Sequence, residues 1–380
     1  MRVLHVIIGL DVGGAESMLF RLVTAGGDSD NHIVVSLSGQ GEIGSRLLKE
    51  GVEVHALGLS VAADLARVFC GLLRLIKTLR PDVVQTWMYH ADLIGGLAAR
   101  LMGVPVVWGI RRTDVGVGVS RITRVLQYAS AAASHLVPSA IVAAAEASRS
   151  AHIRIGYRRR RFTVIPNGFD FRSADAKRIE RTVAKACFGF TEEHILIGSL
   201  GRFNGAKNHE QFVIACIHLA QQDNRLRFVL AGRDVDSRNR VLMAHIEESG
   251  LSDRFVLYGH CDEPTRIYEA LDLFCLHSVS EGFPNVLAEA MAMNVMCVTT
   301  NVGDALEILG GDGIVAGGFD AGALARALLE ATALRPEDRA RIGMTGGASV
   351  RSRFSIAAAR QQYRSLYEGL MTRGAACDAE

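Results

Sequence analysis

Short apolar runs alternate with longer amphipathic stretches along the first half of this 380-residue chain. Short continuous apolar runs are typical of strands that are buried on both faces, as in a parallel sheet. Between the third and fourth runs, apolar side chains recur at helical spacing from Leu65 to Leu79, and Pro81 is expected to end that helix. The alternation therefore predicts a doubly wound α/β domain. Its predicted strands are Val3–Ile8, Ile33–Leu37, Val52–Leu57, Val83–Thr86, Val104–Trp108 and His135–Val137.

A second unit of the same kind follows a turn. Pro166, Asn167 and Gly168 are turn-forming residues, and we interpret the polar stretch 170–180 as a linker. Strand and helix patterns then alternate again, which predicts a second Rossmann-like domain. The length also favours two domains, because a chain of this length usually exceeds what a single hydrophobic core can accommodate. The predicted strands of this domain are Ile195–Leu200, Arg227–Ala231, Phe255–Tyr258, Leu273–Leu276 and Met296–Thr300.

The composition excludes several classes of protein. The formal net charge of +2 is small for this length, which argues against a protein that coats nucleic acid. The seven cysteines show no CxxC or zinc-like spacing, so we interpret them as reduced residues of a cytosolic protein. The first apolar run meets Asp11 and two glycines rather than a cleavage site, and the apolar segment 125–147 is interrupted by polar residues. A soluble or peripheral protein is expected.

The segment from Ser280 to Ala292, SEGFPNVLAEAMA, combines a turn, a predicted helix start and two carboxylates. Pro284 suits the first turn of a helix, where a backbone N–H has no partner. The first amides of this helix are expected to be free to bind an anion such as a diphosphate. They belong to Asn285, Val286 and Leu287. Glu281 precedes the helix and Glu289 lies about two turns inside it, so they can bind different hydroxyls of one elongated ligand.

Other distinctive residues also follow predicted strands. Gly13 and Gly14 let the backbone approach a ligand closely, although a tight strand-to-helix turn is the plainer alternative. The spacing GLDVGGAE lacks the GxGxxG dinucleotide fingerprint. In the second domain, Arg202 and Lys207 follow the first strand, where they are suited to bind phosphates unless they are simply solvated. Ligands of open parallel sheets bind beyond the carboxyl ends of the strands, so two facing domains are expected to form one cleft.

Together these motifs resemble the signature of glycosyltransferase family 4, whose members are retaining enzymes of GT-B fold. The likeness is carried by Glu281 and Glu289, separated by seven residues, by GRFNGAKNHEQF from Gly201 to Phe212, and by VIPNGFD from Val164 to Asp170. GGAE from residue 13 and the segment 86–113 extend it over nearly the whole chain. The resemblance implies two Rossmann-like domains that face each other across a deep cleft: an acceptor domain, 1–168, and a nucleotide-sugar donor domain, 169–352. It also implies that a helix over about 355–372 packs back on the first domain.

The resemblance further implies roles for the donor-binding residues. Arg202 and Lys207 would bind the two phosphates, Glu281 hydroxyls of the transferred sugar, and Glu289 those of the ribose. Arg233 would line the nucleotide pocket. The turn and helix start complete the donor site, and they comprise Gly282, Phe283, Pro284, Asn285, Val286 and Leu287.

The chain departs from the family at one histidine. Many relatives carry a His after the strand that corresponds to Val104–Trp108, close to the reacting sugar, where this chain has Arg111 and Arg112 after Gly-Ile. Either His90, after the fourth strand, or an arginine takes part of that role, or the residue is dispensable. The candidate catalytic residues are therefore His90 together with Glu281, Arg202 and Lys207.

Asp234 and Asp236 match the DxD motif that binds a divalent metal in GT-A glycosyltransferases. We interpret them as a helix start, where Asp favours a cap, because Arg202 and Lys207 already supply positive charge. No metal or other cofactor is expected, and the nucleotide sugar is a substrate.

Six arginines gather between Arg149 and Arg161. They could meet anionic lipid, which attracts each such residue by about 1 kcal/mol near the surface. A solvated loop is the alternative. Both stay open, because acceptors in the family are lipid-linked in some members and soluble in others. The expected location is the cytoplasm, or the inner face of the membrane as a peripheral protein.

The sequence therefore predicts a retaining, metal-independent glycosyltransferase that uses a nucleotide-sugar, most simply a UDP-sugar. The expected acceptor is a saccharide or a lipid-linked glycan, as in polysaccharide or cell-envelope synthesis, and no nucleic acid is expected to bind. Two alternatives stay open. A GT-B-shaped sugar-nucleotide epimerase needs acid and base groups at the sugar but no acceptor. A non-catalytic nucleotide-sugar-binding protein would bind UDP and transfer nothing.

Overall fold

The chain divides by its contacts into two compact units, which are unit 1 (Met1–Phe169 with Ile356–Glu380) and unit 2 (Asp170–Ser355). The computed structural model describes residues 1–26, 30–113, 115, 120–171, 179–261 and 264–377, so part of the predicted linker lies outside the described residues. Each unit contains one parallel sheet with helices packed against it. The predicted class, two Rossmann-like α/β domains, is confirmed.

Unit 1 has a seven-stranded sheet in the order β3-β2-β1-β4-β5-β6-β7. Strand β1 is central and pairs in parallel with β2 and β4, which is the doubly wound pattern. Residues Val3 to Ile7 of β1 are all buried, which explains the continuous apolar run. The strands are β1 (Arg2–Ile7), β2 (Asn31–Ser36), β3 (Glu53–Ala56), β4 (Val83–Trp87), β5 (Val106–Ile110), β6 (Ala140–Ala143) and β7 (Phe162–Val164).

Helices pack on both faces of this sheet. On one face, Leu22 of α1, Leu47 of α2 and Tyr363 of the C-terminal helix share a core cluster. On the other face, Leu72 of α3 and Ala98 of α4 belong to a second cluster. Within the described ranges, no helix is both long and apolar enough to cross a lipid bilayer. The helices are α1 (Gly14–Thr24), α2 (Gly41–Lys49), α3 (Leu65–Leu79), α4 (Met88–Leu101), α5 (Arg121–Ala133), α6 (Glu146–Arg154) and the C-terminal helix (Ile356–Cys377).

Unit 2 has a six-stranded parallel sheet in the order β10-β9-β8-β11-β12-β13. Its strands are β8 (Ile195–Leu200), β9 (Leu226–Ala231), β10 (Phe255–Gly259), β11 (Leu273–Leu276), β12 (Met296–Thr299) and β13 (Gly313–Val315). Phe212, Phe228 and Leu324 lie in its main core cluster. The helices are α7 (Arg181–Ala186), α8 (His209–Ala220), α9 (Arg240–Glu248), α10 (Thr265–Ala270), α11 (Asn285–Ala292), α12 (Ala305–Leu309), α13 (Ala321–Ala333) and α14 (Pro336–Arg353).

One predicted strand, His135–Val137, is wrong. Helix α5 ends at Ala133, and the amides of Leu136 and Val137 donate to the Ala133 carbonyl at 3.0 and 2.9 Å, which makes this segment a turn. The strand is β6, Ala140–Ala143, whose alanines carry a weak strand signal. Strands β7 and β13 have three residues each and were not predicted.

Candidate functional site

The loop after β8 places Lys207 beside β11. Residues Gly205–Lys207 form one 3-10 turn, and the Asn204 side-chain oxygen caps it by accepting a hydrogen bond from the Lys207 amide at 3.1 Å. The Val279 amide, shortly after β11, donates to the Ala206 carbonyl at 2.9 Å. This bond ties the turn to the neighbouring strand end.

Lys207 and Glu281 form an ion pair at this place. Nζ of Lys207 lies 2.5 Å from Oε1 of Glu281, and the side chains are 21% and 12% exposed. The Ser278 hydroxyl donates to the same carboxylate oxygen at 2.6 Å. The structure thus joins two of the predicted site residues, from loops 74 positions apart. Ser278 was missed, although it follows a strand end, where ligand-binding side chains of parallel sheets collect.

A buried histidine, His277, holds the backbone of the lysine. Its Nδ1 donates to the Lys207 carbonyl and its Nε2 accepts from the Ser199 hydroxyl, both at 2.5 Å. The ring stacks on Phe212 with centroids 4.4 Å apart. Burial first, and then the nearby His209, lower the pKa of His277 well below its usual value, so the ring is neutral. A neutral imidazole has one donor and one acceptor, which matches these two partners. This residue was also missed, because a lone histidine gives no sequence signal for a positioning role.

Arg202 and Arg233 lie on adjacent loops, after β8 and β9. Gly232, which directly precedes Arg233, has a φ of +147°, and a Cβ there would lie 2.1 Å from the Gly201 carbonyl oxygen. The close approach of these two loops therefore requires glycine at position 232. The Phe203 amide donates to the Arg233 carbonyl at 2.8 Å. Both arginine side chains are exposed. Their predicted contacts with phosphate and nucleotide stay predictions.

Helix α11 begins one residue later than predicted. Pro284 is its N-cap, and Asn285 is the first helical residue. The Leu287 amide, which was expected to be free, donates to the Pro284 carbonyl at 3.1 Å, so that expectation is wrong. The reason is a tightened first turn with a bond between residues three apart. This bond removes the Leu287 amide from the predicted anion site, and contact of the Asn285 and Val286 amides with an anion stays a prediction.

The turn before α11 packs tightly on the loop after β12. The Asp304 amide donates to the Gly282 carbonyl at 2.9 Å. Gly303 has a φ of +52°, and a Cβ there would lie 2.2 Å from the same carbonyl oxygen. Phe283 contacts Phe354 edge to face, with ring centroids 5.2 Å apart. The predicted ligand residues Gly282 and Phe283 therefore have structural contacts as well.

Glu289 is held by a buried tyrosine. It is the fifth residue of α11, a little over one turn from the start rather than the predicted two. The Tyr268 hydroxyl donates to its Oε2 at 3.0 Å. Burial first, and then Glu289, raise the pKa of Tyr268 well above its usual value, so the hydroxyl stays protonated and remains a donor. The bond orients the carboxylate, whose predicted contact with ribose stays a prediction.

In unit 1, Gly13 is the N-cap of α1 and Gly14 is its first residue. Gly13 is extended, with a φ of −163°, so its backbone does not require glycine. A Cβ at this position would instead lie 2.3 Å from Oε2 of Glu16. Burial raises the pKa of Glu16. The glycine pair forms a strand-to-helix turn, and ligand contact by Gly13 and Gly14 stays a prediction.

The two proposed substitutes for the missing histidine differ in their surroundings. Arg111 donates to Oδ1 of Asn167 at 2.8 Å and to the Tyr363 hydroxyl, and its guanidinium lies 4.8 Å from the centre of the Trp87 ring. These contacts give Arg111 a structural role that joins β5 to the C-terminal helix. His90 lies in the first turn of α4 with an exposed side chain, and desolvation lowers its pKa, which favours the neutral ring.

Arg112 is exposed. Its carbonyl accepts a hydrogen bond from the Ser148 hydroxyl at 2.5 Å. The side chain thus extends from an anchored backbone, and a role for it at the acceptor stays a prediction.

The DxD segment does not begin a helix, so that interpretation is wrong. Asp234 has a left-handed φ of +63°, and α9 begins only at Arg240, capped by the Asn239 side chain. Asp236 instead pairs with Arg238, with Nη2 and Oδ2 2.7 Å apart. In the part of the chain that the structure describes, no three His, Cys, Asp or Glu side chains are grouped to hold a metal ion.

Comparison with known proteins gives two family matches. The family described as "Glycosyltransferase Family 4" matches residues 12–172, and "Glycosyl transferases group 1" matches residues 194–333. EpsF of Bacillus subtilis, which is named as a glycosyltransferase, is 28% identical over 331 residues, 79% of each chain. The lipopolysaccharide core mannosyltransferase LpsB of Rhizobium meliloti is 29% identical over 217 residues, 54% of this chain and 62% of LpsB. The UDP-Gal:alpha-D-GlcNAc-diphosphoundecaprenol alpha-1,3-galactosyltransferase of Escherichia coli is 24% identical over 236 residues, 61% of this chain and 60% of that protein.

Solved structures have a similar fold. HepE of Anabaena in complex with UDP has a TM-score of 0.81 at 21% identity, covering 97% of this chain and 100% of HepE. HepE in complex with UDP-glucose gives a TM-score of 0.80 at 20% identity, with the same coverage. These similarities support the fold.

Proposed function

The chain belongs to the GT-B glycosyltransferases of the family 4 type, and from this premise we propose that it is a retaining enzyme that transfers a hexose from a UDP-sugar to a glycan. The acceptor is a saccharide or a lipid-linked glycan of polysaccharide or cell-envelope synthesis. HepE binds UDP and UDP-glucose, and the galactosyltransferase of Escherichia coli is named for a diphosphoundecaprenol acceptor, which supports both parts of the proposal. The reaction takes place on the cytoplasmic side and needs no metal.

The Lys207–Glu281 ion pair is the observation that carries this proposal. It lies at the carboxyl ends of β8 and β11, where ligands of parallel sheets bind. The lysine backbone is fixed by His277 and the carboxylate by Ser278, so both groups are positioned before a ligand arrives. We assign Lys207 and Arg202 to the donor diphosphate, because guanidinium and ammonium groups neutralise phosphate charge.

When the donor binds, Lys207 is expected to exchange Glu281 for the diphosphate, and Glu281 to exchange Lys207 for the sugar. In the structure, Lys207 neutralises Glu281 at 2.5 Å. A diphosphate carries more negative charge than one carboxylate and competes for the ammonium group. Glu281 is then available to accept hydrogen bonds from hydroxyls of the transferred sugar. Glu289, oriented by Tyr268, binds the ribose hydroxyls, and Arg233 contacts the nucleotide.

The proposed reaction follows a front-face course. The bond from the anomeric carbon to the diphosphate oxygen breaks, and the acceptor oxygen bonds to the same face of that carbon. The acceptor proton passes to the departing diphosphate oxygen, so no side chain needs to act as base. Lys207, Arg202 and the positive end of the α11 dipole stabilise the charge that develops on the diphosphate. A neutral His90 in unit 1 is assigned to hydrogen-bond the acceptor.

A donor screen tests this proposal. Thermal unfolding of the full chain in EDTA is measured with UDP-, GDP- and ADP-sugars, and a UDP-sugar is expected to give the largest stabilisation by binding only the folded state. The best donor is then incubated with an analogue of diphosphoundecaprenol-linked GlcNAc, and the product is examined by NMR. An α-linked product from an α-linked donor supports retention. Inversion, or a requirement for added metal, contradicts the mechanism.

The same assay separates the two alternatives. Conversion of the UDP-sugar to an isomer in the absence of acceptor would identify an epimerase. Binding of UDP without transfer to any lipid-linked or soluble acceptor would identify a non-catalytic binding protein.

A further inference from the structure

Helix α5 buries polar side chains and exposes apolar ones. Gln127 and Ser130 are fully buried on its inner face. Ile122 and Val125 are 73% and 68% exposed, and Leu136, just beyond the helix, is 77% exposed. Ala129 and Ala132 continue this exposed stripe at helical spacing. A helix that only covers a sheet normally turns its apolar side chains to the core, so this stripe needs a different explanation.

A buried hydrogen-bond network fixes the orientation of α5. Gln127 donates to the Tyr89 hydroxyl at 3.2 Å, and this hydroxyl lies 2.7 Å from Nε2 of His152. Nδ1 of His152 donates to the Ser148 carbonyl at 2.7 Å, so Nε2 is the acceptor. Turning the apolar stripe inward would break these buried bonds. The exposed stripe is therefore a stable feature of the fold.

Helix α4, which packs against α5, also carries exposed apolar side chains. Leu97 and Leu101 of α4 are 46% and 63% exposed. Leu97 also borders an open apolar groove of about 580 Å³. The groove is lined by Ala62, Ala63, Leu65, Ala66, Phe69, Leu93, Ile94 and Leu97. We call the α5 stripe, these two leucines and the groove the apolar face.

Arginines lie beside the apolar face at Leu136. Residues 93–161 contain eleven arginines, no lysine and only two acidic residues, although one of these arginines, Arg111, is bound to Asn167 and Tyr363. Arg158 and Arg161 both donate to the His135 carbonyl, at 2.9 and 3.0 Å, which places them beside Leu136. Arg159 and Arg160 are exposed in the same turn. Of the acidic residues, Glu146 pairs with an arginine at 2.6 Å, and Asp114 lies outside the described residues.

We propose that unit 1 docks on a lipid bilayer that contains anionic phospholipids, with the apolar face in the headgroup region and the arginines on lipid phosphates. Apolar side chains bordered by basic residues are the pattern of interfacial membrane binding. Guanidinium groups suit the phosphates of lipid headgroups. A self-complementary contact between two copies would bring these arginines together and is disfavoured. This inference deepens the proposed function. It rests on that function in one respect only, which is that a lipid-linked acceptor would be held in the same bilayer.

Vesicle flotation of the full chain tests the proposal. Vesicles of phosphatidylcholine alone are compared with vesicles containing about one third phosphatidylglycerol, at about 0.1 M and about 0.5 M NaCl. Binding is expected only to the anionic vesicles and is expected to weaken in the higher salt. The variant R159Q/R160Q is expected to bind about 30-fold more weakly, which corresponds to about 2 kcal/mol. The variant I122S/V125S/L136S is expected to lose at least about 10-fold by removal of apolar contact.

Matched variants control for general effects. R326Q/R341Q removes two exposed arginines of unit 2 and is expected to bind like the wild type. Thermal unfolding of each variant, with and without UDP, reports folding and the donor site independently of vesicle binding. Failure of the wild type to bind anionic vesicles, or equal binding by all variants, overturns the proposal. So does a dimer in sedimentation equilibrium that I122S/V125S/L136S abolishes, because the apolar face would then be a contact between copies.

Discussion

Replacement of Lys207 by Met should separate the structural from the catalytic effect of the ion pair. Glu281, with a side chain only 12% exposed, would retain Ser278 but lose its cation. A charged group that loses a hydrogen-bond partner in such a site costs roughly 1 to 3 kcal/mol. Since Lys207 is 21% exposed and water can partly replace it, we expect Lys207→Met to destabilise the chain by about 1 to 2 kcal/mol.

The loss of activity is expected to be larger. Removal of one preorganised group that stabilises developing charge typically costs about 2 to 4 kcal/mol in the transition state. This corresponds to a decrease of about 30- to 1000-fold in kcat/KM for the UDP-sugar. The second variant, Lys207→Met with Glu281→Gln, removes both charges and is expected to recover about 1 kcal/mol of stability without recovering transfer. Stability is measured by urea unfolding, and transfer by release of UDP.

Lys185 provides the matched control. Its Nζ lies 2.6 Å from Oδ2 of Asp272, and the two side chains are 5% and 14% exposed. Lys185→Met is expected to destabilise the chain by at least as much as Lys207→Met, because Lys185 is more buried than Lys207. The folded Lys185→Met protein should retain its affinity for UDP. Wild-type kcat/KM in Lys207→Met would refute the diphosphate assignment, and equal loss of activity in both variants would show that the effect is only structural.

Two further predictions concern unit 1. Arg111→Met is expected to lower the free energy of unfolding by about 2 to 4 kcal/mol, because Asn167 and Tyr363 lose a charged donor; unchanged urea unfolding would contradict this structural role. Burial lowers the pKa of His152 to about 4 in the folded chain, against 6.5 for the unfolded residue, so its neutral form contributes fully above pH 6.5. Stability should therefore fall by roughly 3 kcal/mol as the pH decreases from 6.5 to 4, and His152→Asn should flatten this part of the profile; the same slope in both proteins would exclude His152 as the cause.

Sequence patterns predicted those elements that follow simple periodicity. Helix α3 spans Leu65–Leu79 as expected, because its apolar spacing and Pro81 both agree with the same boundaries. The buried strands β8 and β11 also occur as predicted. Strand β6 was misplaced because it has only four residues, two of them alanines with little strand preference, and because it follows an apolar turn. Tertiary pairing with β5 and β7 decides its position.

The candidate site was predictable only in part. Strand-end motifs indicated Lys207 and Glu281, which the structure joins. Their supporting partners His277 and Ser278 could not be predicted, because their effect depends on side-chain directions across separate loops. The structural contacts of Arg111 could not be predicted from the sequence either, because Tyr363 lies 252 positions away in the chain.

A crystal structure of the full chain with an unhydrolysed UDP-sugar tests the central claim most directly. We expect the diphosphate to lie within hydrogen-bond distance of Nζ of Lys207 and the Arg202 guanidinium, with Glu281 bound to the sugar hydroxyls and Glu289 to the ribose. A diphosphate bound elsewhere, with the 2.5 Å contact between Lys207 and Glu281 intact, would contradict it.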